Sequence, residues 1–225
     1  MAGKKQREKE KRTLKIIRLL EKEYTDARIA LKFSNPLELL VAVMLSAQCT
    51  DIMVNQVTKD LFRKYKSPED YARADEEELQ DDIRKTGFFR QKAKNLKGAA
   101  NMLVEDFGGQ VPDSMGELLR LPGVARKTAN IVLYNAFGIQ DGIAVDTHVK
   151  RLSQRMGLSK NQDPKKIEQD LMVLVPRDIW GHFTYLLIDH GRAVCTGRKA
   201  RCEECAVEGI CPKVGVQKKK GKKKQ

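Results

Sequence analysis

Residues 114–137 read SMGELLRLPGVARKTANIVLYNAF, which predicts two helices joined by a tight turn. Ser114 is a typical N-cap residue, and Leu-Pro-Gly at 121–123 turns the chain before a second helix over 126–137. Gly123 lets the backbone approach a phosphate closely, and the positive N-terminal end of the second helix can bind it. The pattern predicts a helix-hairpin-helix that binds a DNA backbone without reading sequence. The alternative is an ordinary helical corner.

Two side chains beside this hairpin are candidates for chemistry. Lys127 lies in the first turn of the second helix, where the helix dipole opposes a cation and favours a neutral, nucleophilic amine. The alternative is a lysine that binds phosphate. Asp146, in AVDTHVKRL, begins the next predicted helix, and its simplest role is that of an N-cap. A capped carboxylate is held rigidly, so Asp146 could also stabilise positive charge on a sugar or orient a nucleophile.

Four cysteines near the C-terminus form the pattern C-x6-C-x2-C-x5-C: Cys195, Cys202, Cys205 and Cys211. Four thiolates within 17 residues indicate a metal site, and the spacing alone suits zinc and an iron–sulfur cluster about equally. Four unrelated buried thiols are the alternative. Thiolates must stay reduced to bind metal, so we expect a reducing compartment.

The chain of 225 residues is basic, with 43 Lys and Arg against 30 Asp and Glu and a net charge of +13, which indicates a polyanionic partner. Residues 1–12 contribute +4 and the lysine-rich tail +6, so much of the excess is predicted to lie in flexible ends. The tail is interpreted as a phosphate tether rather than only a solubilising segment. The N-terminus lacks an apolar signal segment, and no apolar run has the length of a membrane span. We expect a cytoplasmic or nucleoid location, or a nuclear one in a eukaryote.

Apolar spacing and cap residues predict that the chain is nearly all helix, with no substantial sheet. Asn35-Pro36, Thr50-Asp51 and Ser67-Pro68 are predicted helix starts, and the segment LELLVAVMLSA is predicted to be a central buried helix. Further helices are predicted from Thr13, from Asp75 to Gly87, and over 91–107, 114–120, 126–137, 146–157, 163–175 and 179–190, the last followed by Gly191 as its end. A boundary between two helical lobes is expected within 138–145.

Several motifs together resemble one family. LPGVARKTAN, AVDTHVKRL and the cysteine pattern follow NPLELLVAVMLSAQCTD and TGFFRQKAKNL in this order. They resemble endonuclease III, the helix-hairpin-helix DNA glycosylases that carry a [4Fe-4S] cluster, over about residues 13–213. The resemblance implies a two-lobed all-α fold. Its expected divisions are a basic N-terminal segment with a helix (1–28), a six-helix lobe (29–139), a cluster lobe (140–213) and a disordered lysine-rich tail (214–225).

The resemblance also implies roles for individual residues. Lys127 would be the Schiff-base nucleophile and Asp146 the essential carboxylate. Gln48 would enter the space left by the flipped nucleotide, and Phe88 or Phe89 would wedge the opposite strand, offsetting the unstacking cost. The alternative for Gln48 is a surface residue at a helix end, and for the phenylalanines core packing. The four cysteines would hold a [4Fe-4S] cluster.

Further DNA contacts are expected from the hairpin and from the loop between the first two cysteines. They are Gly123, Ala125, Arg126, Arg198, Lys199 and Arg201. Ala125 departs from the glycine that is usual in the family, which would be strained if that position needs positive φ and harmless if it already belongs to the helix. Cys49 is interpreted as a small residue beside the Gln48 turn. His148, His182, His190 and Trp180 are interpreted as core, cap or surface residues.

The predicted function is a bifunctional DNA glycosylase and abasic-site lyase that excises oxidised pyrimidines from duplex DNA. The predicted partner is duplex DNA with a damaged base or abasic site, and we expect a monomer that does not bind membranes. One rival is a monofunctional mismatch glycosylase acting on adenine or thymine, which would lack the lysine at position 127. Another is a non-catalytic, metal-stabilised DNA-binding protein, which would need neither Lys127 nor Asp146.

Overall fold

The structure, a computed structural model, describes residues 2–216; Met1 and residues 217–225, which include the lysines of the predicted tail, lie outside it. The described residues form eleven α-helices and no β-strand, which confirms the all-α prediction. The helices are α1 (Ala2–Glu23), α2 (Pro36–Leu45), α3 (Asp51–Lys64), α4 (Pro68–Arg73), α5 (Glu76–Ile83), α6 (Phe89–Phe107), α7 (Met115–Leu118), α8 (Arg126–Phe137), α9 (Thr147–Arg155), α10 (Pro164–Leu174) and α11 (Trp180–Ala193).

The chain divides into two compact units. A terminal unit combines Met1–Arg28 with Val145–Gln225, and a central unit consists of Ile29–Ala144. The terminal unit therefore brings α1 together with α9, α10 and α11. None of the helices that the structure describes is long and apolar enough to cross a membrane.

Side-chain caps set the helix starts that the sequence predicts. The Asn35 side chain accepts the N–H of Glu38 at 2.9 Å, ahead of Pro36 in the first turn of α2. Ser67 and Asp70 form a reciprocal capping box at the start of α4. At the start of α3 the Thr50 hydroxyl accepts the N–H of Met53, without a reciprocal bond. These confirmed predictions share a local cause, because the cap bonds join residues only three positions apart.

The core of the central unit surrounds α2. All residues from Leu39 to Leu45 are buried, as expected for a helix that is apolar nearly all round. Helix α8 packs on α2, while α4 and α5 pack on α6. Helix α6 is the longest in this unit, and two of its residues, Lys92 and Asn95, contact the loops described below.

The prediction that a helix begins at Thr13 and that residues 1–12 are flexible is wrong for residues 2–12, which belong to α1. Gln6 donates to Glu10 one turn later at 3.0 Å, and the Thr13 hydroxyl donates to the Lys9 carbonyl. Arg12 Nη1 donates to the carbonyl of Met156 at 2.6 Å. These basic residues are therefore part of a folded helix that packs in the terminal unit.

The prediction that Gly191 ends the last helix is also wrong, because α11 continues to Ala193. Glycine is required there for close packing rather than for a cap. A Cβ at this position would lie 2.6 Å from His148 Nδ1 and 2.9 Å from Arg151 Nη2. Smaller differences affect α6, which begins at Phe89, and α7, which spans only Met115–Leu118.

Candidate functional site

The hairpin predicted from the sequence is formed by α7, a turn and α8. Gly123 has φ of +80°, the left-handed conformation that glycine adopts without strain. A Cβ at Gly123 would meet Asn95 of α6 at 2.7–3.0 Å, so the turn lies directly against that helix. Ala125 is the N-cap of α8 with φ of −97°, so the strained alternative for this alanine is wrong. The turn presents the N-terminus of α8 without a side-chain cap bond, as backbone binding of an anion requires.

Replacing Gly123 with alanine is expected to lower the free energy of unfolding by about 1–3 kcal/mol and to weaken DNA binding. The methyl group would both occupy strained backbone and overlap Asn95. Chemical denaturation and fluorescence anisotropy with an undamaged duplex measure the two effects. Gly116→Ala in α7 is the matched control, since a Cβ there has no heavy atom within 4 Å. Equal results for the two variants would contradict this account of the turn.

The two predicted catalytic residues lie at helix N-termini. Lys127 is exposed in the first turn of α8, in the central unit. Asp146 is half-buried in the terminal unit, where its Oδ1 accepts the N–H of Val149 at 2.7 Å as the N-cap of α9. The cap bond holds one carboxylate oxygen in place. The predicted capping role of Asp146 is confirmed, and this role is compatible with a second, chemical one.

Two turns of the central unit hold a non-glycine residue in the left-handed region. In the Gln48 turn (residues 46–49) Gln48 is exposed with φ of 54°, and in the Phe88 turn (residues 86–88) Phe88 has φ of 48°. Such conformations cost about 1–3 kcal/mol each and are concentrated at functional sites. The backbone is therefore strained at two positions predicted to enter DNA.

The two neighbouring phenylalanines differ in environment. Phe88 is 65% exposed, whereas Phe89 is half-buried against the core, with the guanidinium groups of Arg84 and Arg90 at 4.9 and 5.6 Å from its ring centre. Only Phe88 has an aromatic ring available to a partner. Cys49, next to Gln48 as the last residue of that turn, is half-buried and packs against the core.

All four C-terminal cysteines line one small cavity in the terminal unit, together with Arg155, Met156 and His190 among others. Among the described residues no three His, Cys, Asp or Glu side chains are placed to hold one metal ion. Four thiols that share one cavity are a ligand set that suits either a zinc ion or an iron–sulfur cluster.

Two of these cysteine sulfurs receive a hydrogen bond, and a third lies within hydrogen-bonding distance of a histidine ring. Arg155 Nη1 lies 3.3 Å from Cys195 Sγ, and the N–H of Lys213 lies 3.4 Å from Cys211 Sγ. His190 Nε2 lies 3.3 Å from Cys205 Sγ. Donors at this distance stabilise a thiolate and orient it toward a metal. The surroundings of the cavity therefore suit ligation.

The histidine contact depends on Tyr24 of α1. The Tyr24 hydroxyl lies 2.9 Å from His190 Nδ1, and burial raises the pKa of Tyr24 to about 12. Burial lowers the pKa of His190 to about 4, so its ring is neutral. In the tautomer in which the Tyr24 hydroxyl donates to Nδ1, the single ring proton lies on Nε2, facing Cys205. Burial also raises the pKa of the Cys205 thiol to about 11, so ionisation there requires a bound cation.

The loop between Cys195 and Cys202 carries the three predicted phosphate-binding cations. Arg198 and Lys199 are exposed. Arg201 donates to the Ala193 carbonyl and forms an ion pair with Glu204 at 3.2 Å. Its guanidinium thus stabilises the loop, while Arg198 and Lys199 have their side chains at the surface.

Sequence reasoning missed three residues that the structure connects to these regions: Lys92, Arg155 and His190. Arg155 donates to the carbonyl groups of Thr196 at 2.8 Å and Gly197 at 3.3 Å, in addition to Cys195. His190 was interpreted only as a core or surface residue, and its burial is confirmed. A basic residue or histidine in a helix carries no local signal of such a contact, because its partners lie far along the chain.

The comparisons with known proteins agree on one family. A model described as the HhH-GPD superfamily of base excision DNA repair proteins matches residues 41–177. Over 212 residues the chain is 53% identical to a protein named endonuclease III from Synechocystis sp., covering 94% of each chain. A solved structure described as a trapped endonuclease III–DNA covalent intermediate is similar with a TM-score of 0.87 and 41% identity, covering 91% of this chain and 96% of that one. A solved thermostable thymine-DNA glycosylase gives a TM-score of 0.81 and 28% identity, covering 94% and 98%.

Proposed function

Because the chain belongs to the endonuclease III family of the HhH-GPD superfamily, we propose that Lys127 and Asp146 perform its reaction. That reaction is the excision of oxidised pyrimidines from DNA and cleavage of the strand at the resulting abasic site, in base excision repair. The observation that supports the assignment is an exposed lysine in the first turn of α8, directly after the hairpin turn that would bind the DNA backbone. A mismatch glycosylase without lyase activity would not need this amine.

In the proposed mechanism the Lys127 amine attacks C1′ of the damaged nucleotide. The C1′–N bond breaks, and the base leaves with the electron pair and takes up the proton that the amine loses. The C1′–O4′ bond of the sugar then breaks, O4′ takes up a proton, and the nitrogen lone pair forms the C1′=N⁺ bond of the iminium. Loss of a C2′ proton then allows elimination of the 3′ phosphate, which cleaves the strand. The capped Asp146 carboxylate stabilises positive charge on the sugar and the iminium. Hydrolysis of the iminium releases Lys127.

The damaged nucleotide must leave the helix before Lys127 can reach C1′. We propose that the Gln48 side chain fills the space that this nucleotide leaves. We propose that Phe88, rather than Phe89, is the side chain that wedges into the opposite strand. The exposure of both side chains and the positive φ at both positions support this assignment. Gly123, Ala125 and Arg126 would bind the backbone at the hairpin, and Arg198 and Lys199 would bind it at the cysteine loop.

Replacing Phe88 with alanine is expected to slow cleavage of a fully paired damaged duplex about tenfold or more, equivalent to at least about 1.4 kcal/mol, with little change in stability. The wedge is lost, but the ring is 65% exposed and contributes little packing. The measurements are single-turnover cleavage and thermal melting. Phe89→Ala is the matched control, and it is expected to cost roughly 2 kcal/mol of stability instead. The opposite pattern would assign the wedge to Phe89.

We propose that Cys195, Cys202, Cys205 and Cys211 hold a [4Fe-4S] cluster, the cofactor that the resemblance implies. The shared cavity and the hydrogen-bond donors beside Cys195 and Cys211 support a metal site with four thiolate ligands, and membership of the endonuclease III family favours the cluster over zinc. A bound cluster would supply structural cross-linking of the loop between Cys195 and Cys211. Its role would be to hold Arg198 and Lys199 where they can bind phosphate.

The first test of the function is borohydride trapping with the wild-type protein and a duplex that contains thymine glycol or an abasic site. A covalent protein–DNA adduct after reduction is expected, because borohydride reduces the iminium to a stable amine. Release of the free base should accompany strand cleavage. Base release without an adduct would indicate a monofunctional glycosylase, and binding without either would indicate a non-catalytic protein.

A further inference from the structure

Lys92, in the second turn of α6, is a buried cation. Its side chain is among the few buried charged groups of the described residues, with the residue only 7% exposed. Nζ donates to the carbonyl oxygen of Leu45 at 2.8 Å and to that of Thr86 at 2.8 Å. Within residues 2–216 Lys92 forms no ion pair with a carboxylate. Such a cation is costly to bury, so its position requires a reason.

The two carbonyl acceptors explain how the charge is tolerated. Leu45 is the last residue of α2, and Thr86 is the last residue of a short 3-10 helix, Arg84–Thr86. Carbonyl groups at the end of a helix lack an intrahelical donor and carry partial negative charge. One ammonium group therefore satisfies two helix ends at once. Desolvation by burial lowers the pKa of Lys92, and the carbonyl bonds favour its charged form.

The same two carbonyls lie at the start of the strained turns: Leu45 directly precedes the Gln48 turn, and Thr86 is the first residue of the Phe88 turn. Leu45 is followed three residues later by Gln48, and Thr86 two residues later by Phe88. A single atom, Lys92 Nζ, therefore donates to the backbone at the start of each turn. Three residues farther along α6, Asn95 packs on Gly123 of the hairpin. Lys92 and Asn95, in the first two turns of α6, thus contact the hairpin turn and the backbone at the start of the Gln48 and Phe88 turns.

We propose that Lys92 is a positioning residue that fixes the separation between the Gln48 turn and the Phe88 turn, so that both side chains enter the duplex together. The proposal rests on the proposed roles of Gln48 and Phe88 as inserting residues. Lys92 itself does not contact DNA, because its ammonium group is buried between the two helix ends. Removing the ammonium group frees each turn to move independently. Base extrusion then slows, while the hairpin still binds the DNA backbone.

The test compares Lys92→Met with Lys97→Met, a matched control in the same helix. The Lys97 Nζ also donates to a backbone carbonyl, that of Ala74, which belongs to neither turn. Stopped-flow fluorescence of 2-aminopurine beside an abasic site in a paired duplex measures extrusion directly. The expected result for Lys92→Met is an extrusion rate lower by on the order of 10- to 100-fold than in wild type or Lys97→Met. A single-stranded abasic oligonucleotide, which needs no extrusion, should show a much smaller difference in borohydride trapping.

Circular dichroism establishes that each variant is folded at the assay temperature. If Lys92→Met unfolds, Lys92→Gln keeps an amide donor and is compared with Lys97→Gln in the same assay. A folded Lys92 variant that extrudes the base as fast as its Lys97 counterpart overturns the proposal. An equal loss on duplex and single-stranded substrates also overturns it, because it would show a general structural role. A wild-type protein that forms no adduct at all would contradict the proposed function instead.

Discussion

A Lys127→Gln variant is expected to form no borohydride-trapped adduct and to cleave abasic DNA about 10³-fold more slowly or worse. The glutamine amide is similar in length to the lysine side chain, but its nitrogen lone pair is delocalised and cannot attack C1′. Lys127 is exposed in the first turn of α8, so its loss leaves no buried group without a partner. The fold and most of the DNA affinity should therefore remain.

The matched control is Lys59→Gln, which removes one charge from an exposed position on α3. It should form the adduct at the wild-type rate. Binding of both variants to an undamaged duplex is measured at two salt concentrations. A variant that has lost a phosphate contact binds more weakly and with a smaller salt dependence, whereas a variant that has lost only its nucleophile binds as the wild type does. An adduct that persists in Lys127→Gln would assign the nucleophile to another amine and would remove the main support for the proposed mechanism.

A Cys205→Ala variant is expected to lose bound iron and to melt roughly 6–20 °C below wild type, as follows from about 3–5 kcal/mol of lost stability. The segment 195–216 has little apolar support of its own, because Val207 is its one fully buried hydrophobic residue among those described. The hydrogen bonds of Arg155 to Thr196 and Gly197 remain but do not close the loop. Iron analysis, visible absorbance and thermal melting measure the change.

Cys49→Ala is the matched control, because Cys49 is a lone, half-buried thiol in the central unit. It should keep its iron content and visible absorbance. Limited proteolysis should cut Cys205→Ala within residues 195–216 and leave the control intact there. A colourless wild-type protein with stoichiometric zinc would contradict the cluster assignment, and an iron-replete Cys205→Ala would exclude Cys205 as a ligand.

Local chemistry explains why much of the fold could be predicted. Asn35, Ser67 and Asp163 cap helices through bonds to residues three positions away, so their effect can be inferred from short segments. The start of α1 was missed because residues 2–12 are too polar to show an apolar stripe. Their helix is stabilised by pairs one turn apart and by contact of Arg12 with the carbonyl of Met156.

The residues of the candidate site also fall into two groups, those that a local motif predicts and those that only the packing of the chain identifies. The sequence by itself determined the hairpin, Lys127, Asp146 and the four cysteines as candidates, because each lies in a motif whose spacing has a chemical meaning. Only the tertiary structure decided that Phe88 and not Phe89 is exposed, and that His190 faces Cys205. Only the tertiary structure showed that Lys92 bonds to both Leu45 and Thr86, which lie 41 positions apart in the sequence. The physical reason is that exposure and hydrogen bonding between distant helices depend on how the chain packs, which no local pattern of residue types encodes.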